Sequence, residues 1–106
     1  MYQLQFLKKE NDLNKLIKQN KRYRNNLSIL FVSLWDKFST NLVEKVTEKY
    51  GDSDRGEVLY IVDSFNMPHS FVIYNATKAP CLVQLRRDRV YSEDYYSMIM
   101  KTLRIK

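Results

Sequence analysis

The order of apolar and polar segments in this 106-residue chain predicts a mixed α/β fold, β-α-β-α-β-β-β-α, with one sheet carrying helices on both faces. Three observations predict it. Ile29–Trp35 and Glu57–Val62 are nearly continuous apolar runs, the pattern of strands covered on both sides. Helical patterns separate the first three strand patterns, so those strands are expected to run parallel. Two further strand patterns, Ser70–Tyr74 and Cys81–Leu85, flank the turn-forming stretch Asn75–Pro80 and read as a hairpin.

Each element has a local signal. Gln3–Leu7 alternates polar and apolar residues and reads as a short strand. Asn11 or Asp12 can cap a helix reaching about Tyr23, with Leu13, Leu16 and Ile17 on one face and lysines opposite. Asn25-Asn26 ends it. After the Ile29–Trp35 strand, Ser39 reads as the N-cap of a helix to about Tyr50, with Leu42, Val43, Val46 and Tyr50 inward. Gly51 stands where a helix end favours positive φ. Residues 52–56 read as a loop, and 64–67 as a turn. Ser92 reads as the cap of the last helix, where Glu93 and Asp94 suit the positive end of the dipole. Tyr95, Ile99 and Leu103 form that helix's inner face.

Residues 1–106 read as one domain, with 44% hydrophobic and 28% charged residues, an ordinary globular balance. No apolar run approaches the roughly 20 residues of a membrane span. The N-terminal Met-Tyr-Gln-Leu-Gln-Phe-Leu-Lys-Lys lacks a signal peptide's apolar region, so a cytoplasmic protein with no membrane partner is expected. The single cysteine, Cys81, excludes an intrachain disulfide, and with one histidine no metal site or cofactor is expected. Cys81 lies in an apolar strand and reads as a packing group. A net charge of +6 gathers at 15–24 and at Arg86, Arg87 and Arg89. Its plain reading is solubility, and its functional reading is attraction to nucleic acid or acidic proteins. The Lys-, Asn- and Tyr-rich composition suits a small AT-rich genome such as a phage's.

Residues 28–42, Ser-Ile-Leu-Phe-Val-Ser-Leu-Trp-Asp-Lys-Phe-Ser-Thr-Asn-Leu, run from a buried strand into a helix. This layout resembles the strand and active-site turn of thioredoxins, F-W-A-x-W-C-G-P-C. With Leu34-Trp35 set against the family's Phe-Trp, Phe38 falls on the tryptophan before the first cysteine. Ser39 then falls on the nucleophilic cysteine and Leu42 on the resolving one. A second stretch, Asn66-Met67-Pro68-His69-Ser70-Phe71, is similar to the family's proline at the start of the strand after the third. The resemblance implies a cis Met67–Pro68 bond facing the turn. Only 63–67 separate the third strand from this proline, so the family's intervening helix is expected to be missing. The order of elements resembles the thioredoxin-like fold across nearly the whole chain.

Dithiol exchange needs an attacking thiolate and a resolving thiol, and the resemblance implies that both are lost. What it leaves is a docking surface for extended polypeptide: Trp35, Phe38, Ser39, Met67, Pro68 and His69. Ser39 could act as a nucleophile only with a base, and His69 is the one histidine; the reading favoured here is a helix cap. Trp35 reads as core at the strand's end, and Phe38 stands between core and anchor. The expected function is therefore a non-catalytic protein-binding module with a protein partner. The alternative is a basic nucleic-acid-binding accessory protein using Arg86, Arg87 and Arg89, placed between the last strand and last helix and followed by Tyr91, Tyr95 and Tyr96.

Overall fold

Leu27–Val32 (β2) is buried at every residue because it lies in the middle of a sheet with helices on both sides. The computed structural model describes residues 2–23, 26–33, 35–53, 55–63, 80–86 and 89–105. Around β2 the chain runs through β1 (Tyr2–Leu7), α1 (Glu10–Tyr23), α2 (Lys37–Tyr50), β3 (Glu57–Asp63), β4 (Cys81–Arg86), β5 (Arg89–Glu93) and α3 (Tyr96–Thr102). The sheet order is β1-β3-β2-β4-β5. β1 and β2 both run parallel to β3, while β4 runs antiparallel to β2 and β5 antiparallel to β4.

Alternate residues of β2 serve two cores, as the pleat requires. Leu27, Ile29 and Phe31 pack with Leu13 and Ile17 of α1, Val62, Cys81 and Val83. Leu30 and Val32 pack with Leu42, Val46 and Tyr50 of α2, Ile99 and Leu103, Leu59, Ile61 and Leu82. The two-sided burial expected from the apolar runs is thus realised at β2.

Four expectations change. The strand expected to reach Trp35 stops at Val32. Its chain direction reverses where the Asp36 N–H donates to the Ser33 carbonyl at 3.0 Å. The hairpin partner of Cys81–Arg86 is Arg89–Glu93, not Ser70–Tyr74: both edges of β4 are taken, by β2 and β5. The strand expected at Ser70–Tyr74 lies outside the described residues. Consequently Ser92 sits in a strand and does not cap a helix. Instead α3 begins after Tyr95, which makes no side-chain cap bond and is 69% exposed, while Ile99 and Leu103 are fully buried. Finally, Gly51 has φ −58°, so its glycine is not needed for a left-handed turn. A Cβ there would stand 2.4 Å from the Thr47 carbonyl oxygen, and close approach is what demands glycine.

The end of α3 is closed by a Schellman-type pair of bonds, Ile105 N–H to Met100 O at 2.8 Å and Arg104 N–H to Lys101 O at 3.1 Å. Arg104 carries the positive φ of 57° that this motif requires. Lys49 of α2 donates to the Arg104 carbonyl, tying the two helices together at that end.

Candidate functional site

The site predicted from sequence lies where β2 ends and α2 begins. Asp36 is the N-cap of α2, with extended backbone (φ −99°, ψ 126°). Its Oδ2 accepts from the Ser39 N–H at 3.0 Å and from the Ser39 hydroxyl at 3.1 Å. Its carbonyl accepts from Thr40 N–H and Thr40 Oγ1, both at 3.0 Å. A carboxylate here satisfies otherwise unpaired amides and faces the positive end of the helix dipole. Ser39 is therefore the third residue of the helix and not its cap, and it is only 1% exposed. Its hydroxyl is turned inward against Asp36 and away from solvent. Leu42, one turn on, is fully buried in the core between α2 and the sheet.

The aromatic residues of the turn point the other way. Trp35 is 85% exposed and Phe38 59%. Trp35 was expected in the core because the strand was expected to carry it; with the strand ending three residues earlier, neither face of the sheet receives its side chain. Phe38 rests against Tyr96, the first residue of α3, with ring centroids 5.5 Å apart and tilted by 56°. This contact joins the start of α2 to the start of α3 and was not legible in sequence, since nothing in the spacing pairs 38 with 96. Asp36 did have a signal, an aspartate three residues before a serine, but Ser39 offered an equally good cap.

Met67, Pro68 and His69 lie outside the described residues. Among the described residues, the strand that follows β3 and lies beside β2 is Cys81–Arg86, and the proline directly before it is the buried Pro80. Residues 64–79 of the connection from β3 to this strand lie outside the described residues, and with them the expected absence of a helix between the third strand and Pro68.

At the opposite end of the sheet the basic residues take on another role. Arg86 makes a two-pronged ion pair with Glu57, Nη1 to Oε1 at 2.6 Å and Nη2 to Oε2 at 2.9 Å. Its Nη2 also donates to Ser28 Oγ at 3.2 Å. Ser28, fully buried, donates to Glu57 Oε2 at 2.6 Å and accepts from Gln84 Nε2 at 3.3 Å. Tyr2 covers this cluster and packs edge-on against Tyr50 at 5.4 Å. Burial raises the Tyr2 hydroxyl above its ordinary pKa, with Glu57 adding to the effect. Arg86 is thus committed inward, Arg89 is exposed on β5, and Arg87 lies outside the described residues.

Cys81 is 4% exposed in the α1-side core. Burial pushes its thiol above the ordinary value, with Asp94 and Glu93 adding and a backbone hydrogen bond at Glu93 partly offsetting. A thiol held protonated and covered is a packing group. Among the described residues no cluster of His, Cys, Asp and Glu can hold a metal ion, and no helix is long and apolar enough to cross a membrane. A cleft of about 370 Å³ lies on the α1 side, lined by Leu16, Asn20, Leu27, Val58 and Tyr60, away from the α2 N-terminus.

No protein-family model matches the sequence, and no curated protein matches it. Solved structures do. A thioredoxin from Schistosoma mansoni superposes with a TM-score of 0.74 at 16% identity, covering 96% of this chain and 94% of that one. A Fasciola hepatica thioredoxin gives 0.70 at 22% identity, covering 96% and 99%. A thioredoxin from Nicotiana alata gives 0.69 at 11% identity, covering 96% and 90%. The chain has the thioredoxin fold, and with one cysteine it has that fold without a CxxC pair.

Proposed function

We propose that this chain is a non-catalytic protein-binding module that docks a protein partner on the aromatic surface at the start of α2. The observation that carries the reading is the outward display of Trp35 and Phe38, 85% and 59% exposed, beside a helix start that bears no thiol. The spacing of Trp35-Asp36-Lys37-Phe38-Ser39 is that of Trp-Cys-x-x-Cys, with Asp36 and Ser39 at the two sulfur positions. This register is three residues earlier than sequence resemblance alone suggested, and it agrees with Asp36 as N-cap. A carboxylate and a buried hydroxyl hydrogen-bonded to each other cannot exchange disulfides, since neither supplies a thiolate. They can hold the turn rigid, so that the aromatic side chains are presented with little ordering cost on binding. Tryptophan is among the side chains most often found as binding anchors, and phenylalanine is enriched at interface cores. Met67, Pro68 and His69 are carried as further contacts of the same surface, on the resemblance alone.

The nucleic-acid reading has less support, because Arg86 is engaged by Glu57 and Ser28.

The test uses the whole chain as bait in lysate of its source cell, with Trp35→Ala, Phe38→Ala and Arg89→Ala baits beside it, followed by affinity measurement on the recovered protein. Loss of roughly tenfold or more with either aromatic variant, and retention with Arg89→Ala, is the expected result. Salt-sensitive single-strand binding that Arg89→Ala weakens and the aromatic variants leave intact would reverse the reading. Dithiothreitol-driven insulin reduction is expected to proceed at the rate without protein.

A further inference from the structure

The edge strand β5 has an organisation that the aromatic surface does not account for. Arg89, Val90, Tyr91 and Ser92 are exposed and Glu93 is half-buried. Val90 is 67% and Tyr91 49% exposed. Among the described residues the outer side of β5 has no neighbouring strand. The other edge, β1, is half-buried along Tyr2, Gln3 and Leu4 and exposed at Gln5 and Phe6, and none of its residues carries a charge that would set a register against a second copy. Exposed edges are ordinarily protected by a charge or proline in mid-strand, because unpaired N–H and C=O groups invite pairing. Here the middle is Val90-Tyr91-Ser92, and the charges sit at the two ends with opposite signs.

That arrangement is self-complementary. We infer that β5 pairs edge to edge with β5 of a second copy, antiparallel about a twofold axis at Tyr91, extending the sheet into a ten-stranded dimer sheet built from two five-stranded ones. In that register Arg89 faces Glu93 of the second copy at both ends, Val90 faces Ser92, and Tyr91 faces Tyr91. Every opposed pair joins residues of the same parity, so backbone groups turned outward on one strand meet backbone groups turned outward on the other. This is the condition for closing an antiparallel ladder. Arg89, Tyr91 and Glu93 share one face of the pleat, so the two tyrosines lie side by side between two ion pairs. A parallel pairing in register would instead set Arg89 against Arg89 and Glu93 against Glu93. The charge pattern thus selects the orientation as well as the partner. Arg86 does not compete, because it is held by Glu57.

The test is equilibrium sedimentation of the full chain from about 10 µM to about 1 mM, a range that brackets weak to moderate association. Arg89→Glu and Glu93→Arg each turn both ion pairs into like-charge contacts and should raise the dimer Kd about tenfold or more. The double variant restores complementarity with the charges exchanged, and its Kd should return to within about threefold of the parent. Circular dichroism on all three variants verifies the fold. Hydrogen exchange gives a second readout: β5 amides should slow as concentration rises, while those of α2 should not change. A chain monomeric throughout the range would overturn the proposal. So would a dimer indifferent to the single swaps, a dimer not restored in the double variant, or unchanged β5 exchange in the associated species. The Trp35 and Phe38 test is independent of these outcomes, since neither residue belongs to β5.

Discussion

The two ends of β2 treat polar groups in opposite ways. At its start, Ser28, Glu57, Gln84 and Arg86 are drawn together under Tyr2, and no buried side-chain nitrogen or oxygen among the described residues lacks a partner. At its finish, polar groups Asp36 and Ser39 satisfy one another at the helix start while Trp35 and Phe38 face solvent. One end removes polar groups from water and matches them; the other leaves apolar area in water. The difference teaches how to tell scaffold from surface in this fold. Matched, half-buried charge is a stability device whose loss the protein itself feels. Exposed aromatic area has little to offer the monomer, and its effect shows when something covers it.

The largest effect on folding should follow from breaking the inward end. Glu57→Ala removes the carboxylate that accepts from Arg86 and from the Ser28 hydroxyl, leaving the guanidinium with Ser28 Oγ alone. Because the ion-paired side chains are 28% and 23% exposed, water recovers part of the loss. We expect a destabilisation of about 2 kcal/mol in urea unfolding, less than for a fully buried pair. A loss under about 0.5 kcal/mol would make this pair an ordinary surface bridge and erase the contrast.

Next comes the cap. Asp36→Ala should cost about 1 kcal/mol, and Asp36→Asn should recover most of it, since asparagine also caps. Ser39→Ala should cost less, because it removes the hydroxyl and leaves the Ser39 N–H bonded to Asp36. The reverse order in thermal melts would return the helix start to Ser39.

A pH series sharpens the buried end. Burial raises the pKa of Tyr2, Tyr50 and Tyr60 above the ordinary value of 10.0. A tyrosine whose folded pKa exceeds its unfolded one loses its proton first in the unfolded chain. Stability is then full below about pH 10 and falls as pH rises through the raised values. Tyr50 also donates to the Leu103 carbonyl at 2.6 Å, a bond that its ionisation destroys. Tyr50→Phe should therefore flatten the alkaline fall, and an unchanged slope would remove Tyr50 from the account.

The smallest effect belongs to the outward end. Trp35→Ala should shift stability by no more than about 0.5 kcal/mol, as surface changes do. Phe38→Ala should cost about 0.5–1 kcal/mol through its contact with Tyr96. A loss of several kcal/mol for Trp35→Ala, read by denaturant midpoint, would return that residue to the core.

Much of the fold was legible because period and composition are local. The apolar stretch around β2, the amphipathic faces of α1 and α2, and the strand at Glu57–Asp63 each announced themselves within a few residues. The errors fell where the deciding interaction is distant. Arg89–Glu93 carries charges at both ends and a serine, so it reads as a turn and a cap. It is a strand because β4 offers it an edge. For the same reason Ser70–Tyr74 looked like β4's partner: an apolar run near a turn signal is a strand pattern wherever it falls. Phe38 and Tyr96 meet only because α2 and α3 cover the same face of the sheet.

The sequence by itself determined the class of fold, the two-sided burial of β2, the single thiol and hence the absence of an intrachain dithiol. These follow from side-chain period and from counting, which need no partner. Only the tertiary structure decided that Asp36 caps α2, that Trp35 faces water, that Ser39 is enclosed, and that Arg86 turns inward to Glu57. Each of those outcomes is a choice between two chemically adequate alternatives. Asp36 and Ser39 can both cap; Trp35 can end a strand or begin a turn; an arginine can face water or a carboxylate. Such choices differ locally by about 1 kcal/mol, and packing of the whole sheet, worth far more, settles them.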